Sequence, residues 1–130
     1  MVKCRKIGRR AINRGDSGLN LELKQNGRVL TVVVSGELDL STSPDFRRRI
    51  GDELEQNQGI QHLIFDFKET SFVDSSGLGA ILGRYRTIAK RDGKVSAVNV
   101  PPHLVRLFEL SGLLKVMTID PSLEEAEKYD

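Results

Sequence analysis

Apolar and polar positions change rhythm several times along this chain, and each rhythm predicts an element. Leu19, Leu21 and Leu23 alternate with polar residues, the period of a half-buried strand. Asn26-Gly27 follows, a strong hairpin signal, because both central positions of a type I′ turn need positive φ. The run RVLTVVVSG, 28–36, is β-branched and nearly continuous, as in a strand covered on both faces.

From 41 to 56 the period becomes helical. Phe46, Ile50 and Leu54 recur every four residues, Ser43 is placed to cap, Pro44 suits the first turn, and Asp45 favours the positive end of the helix dipole. Arg49 and Glu53 are spaced for an i,i+4 pair. HLIFDF, 62–67, predicts a third strand. A helix opening near Ser75 places Leu78, Ile81, Leu82, Tyr85 and Ile88 on one face, and Asp92-Gly93 ends it. KVSAVNV, 94–100, predicts a fourth strand. A short helix follows Pro101-Pro102, with Gly112 as its C′ residue. KVMTI, 115–119, predicts a last strand, and Asp120-Pro121 opens a final helix running through Lys128.

The order β-β-α-β-α-β-α-β-α implies an α/β domain: a small mixed sheet of four to five strands, an N-terminal hairpin followed by β-α units, with about four helices packed on it. At 130 residues this is one domain, large enough to fold without a disulfide or metal staple. The single cysteine, Cys4, forms no intrachain disulfide and no cysteine metal site. No run of 18 apolar residues is present, and no apolar segment of signal-peptide type follows the basic start, so a cytoplasmic location is expected.

Charge changes the picture in one place. Residues 1–16 carry a net +5, so in a chain of net +2 the rest sums to about −3. Basicity therefore sits in an N-terminal extension without apolar periodicity, for which poor order is expected, and residues 17–130 form the domain. Direct nucleic-acid binding is not expected.

The chemistry to explain is SFVDSSGLG, 71–79. A serine hydrolase does not fit: the Gly-x-Ser-x-Gly elbow is absent, and His62 and His103 read as ordinary surface or edge histidines. A dinucleotide cradle does not fit: the third glycine comes one place late, and no acidic residue ends the next strand. Gly79 and Gly83 read instead as small residues that let the helix approach the sheet. Asp39 and Asp74 both follow strands read as parallel, so both should emerge at one sheet edge, but no third metal ligand is evident. The local reading is a helix start, with Asp74 or Ser75 capping and Gly77 permitting a tight entry.

The segment FVDSSGLGAILGRY, 72–85, strongly resembles the phosphorylation segment of bacterial anti-sigma factor antagonists, members of the STAS family. SGELD, 35–39, and LFELSGL, 107–113, match two further motifs in the right order, and the resemblance spans roughly 19–120. It implies a switch rather than an enzyme, with no cofactor and no metal. It implies that Ser75, the serine directly after the aspartate, is phosphorylated by an anti-sigma factor that is also a serine kinase, and that a PP2C-type phosphatase resets it. The expected docking patch joins loops 36–43 and 71–78 through Asp39, Ser41, Thr42, Asp74, Ser75, Ser76, Gly77 and Leu78. A free monomer, away from any membrane, is expected. The alternative is an unphosphorylated STAS subunit of a transport or lipid-trafficking complex.

Overall fold

The computed structural model describes residues 5–12, as backbone, and 18–121. Strands are β1 (Arg5–Ile12), β2 (Leu19–Asn26), β3 (Val29–Leu38), β4 (His62–Asp66), β5 (Thr70–Val73), β6 (Lys94–Val98) and β7 (Thr118–Asp120). Helices are α1 (Ser43–Gln56), α2 (Ser75–Ala89) and α3 (Pro102–Ser111), and a 3-10 turn covers Leu113–Lys115. The sheet runs β1-β2-β3-β4-β6-β7, antiparallel through β1, β2 and β3 and parallel beyond. The mixed α/β architecture matches the expectation, with more strands and, among the described residues, three α-helices. The last expected helix, residues 120–128, lies almost wholly outside the described residues.

The alternating positions fall where their period requires. Leu19, Leu21 and Leu23 join Leu30, Val32, Val34, Leu63, Phe65, Val95 and Ala97 in one core beneath the Phe46-Ile50-Leu54 stripe of α1 and Ile81 and Ile88 of α2. Phe46, Phe65, Phe67 and Phe108 form a row of rings, with successive centroids 5.7, 5.6 and 5.5 Å apart. Residues of opposite parity, Val29, Ile64 and Val98, form a second small buried cluster.

The long strand β3 organises the functional end. β2 pairs with it from Val29 to Gly36, so β4 and β5 lie end to end along its other edge. A turn separates them: Thr70 N–H donates to the Phe67 carbonyl at 3.0 Å, and the Thr70 hydroxyl to the Val34 carbonyl at 2.6 Å.

Several local expectations are corrected. Arg5–Ile12, expected to lack order, is a strand paired with β2. The hairpin loop is Gly27-Arg28, with positive φ at Gly27 only, the pattern of a type II′ rather than a type I′ turn. Thr42, not Ser43, is the N-cap residue of α1, and the Ser43 hydroxyl donates instead to the Asp39 carbonyl at 2.6 Å. Arg49 pairs with Asp45, one turn back, while buried Glu53 accepts from the Asn57 side chain. A Cβ at Gly79 or Gly83 would meet nothing within 4 Å, so neither glycine is there for close packing. His62 is no surface residue: it is fully buried, with Nε2 2.9 Å from the Ser96 hydroxyl.

Candidate functional site

The parallel strands β3 and β5 end side by side, with Glu37 opposite Phe72 and Leu38 opposite Val73. Asp74 N–H adds one further bond to the Leu38 carbonyl, at 3.1 Å. The β3–α1 and β5–α2 loops therefore leave the sheet together, which places Asp39 and Asp74 at one edge. The strand preceding Asp74 is β5, not the 62–67 segment.

Asp39 organises its own loop. One carboxylate oxygen accepts from Ser41 N–H at 3.0 Å, the Ser41 hydroxyl at 2.9 Å and Thr42 N–H at 3.2 Å. The Thr42 hydroxyl accepts from Asp39 N–H and donates to the Glu37 carbonyl, both at 2.9 Å. The Ser41 hydroxyl is the main cause that holds the Asp39 carboxyl below its ordinary value of 3.8; desolvation, next in size, opposes it, and the backbone N–H groups of Thr42 and Ser41 and the Thr42 hydroxyl each lower it further by less.

Asp74 bridges. Oδ1 accepts from Gly77 N–H at 3.0 Å, capping α2, and Oδ2 accepts from Leu40 N–H at 3.2 Å, tying the cap to the neighbouring loop. Gly77 makes this approach possible: a Cβ there would stand 2.5 Å from the Leu38 carbonyl oxygen and 2.9 Å from side-chain carbons of Leu38 and Val73.

Ser75 is the first residue of α2, exposed, and its hydroxyl makes no hydrogen bond within the described residues. Ser76 and Leu78 are half-buried, while Ser41 is exposed. Thr42 and Gly77 are buried, so they shape the two loops from beneath and offer no side chain to a partner. The expected patch also omits two residues, Leu40 at 74% and Phe72 at 48% exposure. Leu40 continues the parity of the buried Val32, Val34 and Leu38, so periodicity gave no signal that would have marked it as exposed.

Neither histidine serves Ser75: His62 contacts Ser96, and His103 Nε2 lies 3.0 Å from the Ser71 carbonyl, to which it donates. Among the described residues no cluster of His, Cys, Asp or Glu could hold a metal ion, and neither Asp39 nor Asp74 forms an ion pair. What stands here is an exposed serine on the positive end of a helix, beside a capping carboxylate, with exposed Leu40 and Phe72 on the two adjoining segments. Such a place suits docking and acceptance of a phosphate.

The chain belongs to the STAS domain family, which it matches over residues 20–126. Among its relatives, the anti-sigma F factor antagonist of Paenibacillus polymyxa is 42% identical over 101 residues, covering 78% of this chain and 86% of that protein. The anti-sigma factor antagonist SpoIIAA in its unphosphorylated form has a similar fold, with a TM-score of 0.67 and 26% identity over 84% of this chain and 96% of that one. The phosphorylated form of SpoIIAA, a Bacillus cell fate determinant, also gives 0.67, with 27% identity over 85% and 99%. No described helix is long and apolar enough to cross a membrane.

Proposed function

We propose that this protein is an anti-sigma factor antagonist switched by phosphorylation of Ser75, with residues 17–130 as the switch domain. Unphosphorylated, it binds an anti-sigma factor that is also a serine kinase, and so frees a sigma factor. A PP2C-type phosphatase restores the binding form. The observation that carries this reading is Ser75 itself: exposed, without a hydrogen bond among the described residues, and on the first position of a helix whose cap is already supplied by Asp74.

Two opposing effects decide how the switch works. Phosphorylation adds about −1.5 to −2 charge and three acceptor oxygens. The helix N-terminus favours that charge by roughly 0.3–1 kcal/mol at an exposed site, so the fold tolerates it. Buried against a partner, beside the carboxylates of Asp74 and Asp39, the same dianion is disfavoured. A loss of about 3–4 kcal/mol lowers affinity roughly a hundred- to a thousand-fold. The larger effect wins: the complex dissociates while the domain stays folded.

Peptide mass spectrometry of the protein from its native cells, before and after a metal-dependent phosphatase, should find one phosphate, on Ser75. Ser75→Ala should fold, bind the kinase and resist modification, and Ser75→Asp should fold and bind at least a hundred-fold more weakly. Phosphate on Ser76, or tight binding by Ser75→Asp, would sink this reading.

A further inference from the structure

An apolar groove of about 160 Å³ lies between α2 and the end of α3. It is lined by Leu78, Gly79 and Leu82 on one side and by Ser111, Gly112, Leu113 and Val116 on the other. Part of this wall is the LFELSGL motif, to which the phosphoserine chemistry gives no role. We infer that the groove takes one apolar side chain of the anti-sigma factor, as a second anchor beside Ser75. The inference rests on the proposed function and names a contact of that same interface.

Three observations support this occupant. Ser75, Leu78, Gly79 and Leu82 stand at i, i+3, i+4 and i+7, so the acceptor serine and one groove wall share a face of α2. At 1.5 Å per residue, Ser75 and Leu82 are ~10 Å apart along the helix. A partner burying ~800 Å² on this chain covers a disc of ~16 Å radius, so a complex centred on Ser75 reaches the groove. Apolar exposure is concentrated here as well. The three exposed large apolar residues among those described are Leu40 and Phe72, on the two sheet-edge segments beside Ser75, and Leu110, at 76% and two residues before Gly112.

Size selects the occupant. A cavity of ~150 Å³ lined by aliphatic residues holds a benzene ring. Pockets for cofactors and drug-sized ligands run to about 300–1,000 Å³. The groove thus matches a single Leu, Ile, Met or Phe side chain.

Gly79 allows a clean test, because a Cβ there meets nothing within 4 Å, and the same holds for Gly83 one turn on, outside the groove lining. The probe is the purified anti-sigma F factor of Paenibacillus polymyxa, titrated calorimetrically against the full chain. Gly79→Trp should weaken binding at least thirty-fold, while Gly83→Trp stays within threefold of wild type and both keep the wild-type circular dichroism. Gly79→Lys, which brings a charge on a flexible stem to the groove wall, should also lose at least tenfold and decides the matter if the indole variant misfolds. Wild-type affinity in both Gly79 variants, with Ser75→Asp still failing to bind, would overturn the groove and leave the switch standing. No binding by either wild type or Ser75→Ala would remove the switch reading, and the groove with it.

Discussion

The β3–α1 and β5–α2 loops leave neighbouring parallel strands with an aspartate as first residue, and use it differently. Asp39 directs its carboxylate inward, to Ser41 and Thr42 of its own loop. Asp74 directs one oxygen to its own helix and the other across to Leu40. The first loop is therefore self-organised, while its attachment to the second depends on Asp74. A modification next to Asp74 acts on a group that serves both loops, whereas a change at Asp39 stays local.

The largest expected effect comes from closing the gap that lets the loops meet. Gly77→Ala gains up to ~1 kcal/mol of helix propensity. It also places a methyl 2.5 Å from a backbone oxygen and 2.9 Å from two side chains, and overpacking of this kind costs about 1–3 kcal/mol. Urea denaturation should show net destabilisation, and Gly79→Ala, which meets nothing, should show none.

Next, Asp74→Ala removes a cap and a cross-loop bond together, at about 1–2 kcal/mol. Amide NMR shifts should change at Gly77 and at Leu40, whereas Asp39→Ala should move only residues 39–43 among these loops. Equal spread from both substitutions would abolish the distinction between the loops.

The smallest effect is a titration. The folded Asp39 carboxyl lies below its unfolded value near 3.8, so its contribution is complete above that value and is lost as pH falls through the depressed one. Carboxyl carbon NMR should give an Asp39 midpoint below 3.8, and Ser41→Ala, which removes the principal cause, should raise it.

Legibility in the sequence followed the range of the forces involved. The α1 stripe and the α2 start at Ser75 were readable because period and capping are local signals. β5 was not: its four residues run buried, exposed, exposed, buried, with no alternation to detect. The burial of His62 depends on Ser96, 34 residues away, which no local window contains. Leu40 and Phe72 escaped because an apolar residue is read as core by default, and four of the five phenylalanines obey that rule. For the site, motif resemblance marked the serine. The cross-loop bond from Leu40 to Asp74 required the fold, because 34 residues separate its ends.

The position of Ser75 bears on what a modifying enzyme can read. A nine-residue peptide copied from 71–79 holds the acceptor and its neighbours, yet is too short to maintain a helix in water. It also lacks Leu40, whose N–H holds one side of the capping carboxylate. In the folded chain Ser75 sits at the start of a formed helix, beside segments drawn from two distant stretches of the sequence. Under the proposed function, the address that a kinase reads is written in the shape of this domain, and a linear fragment carries only part of it.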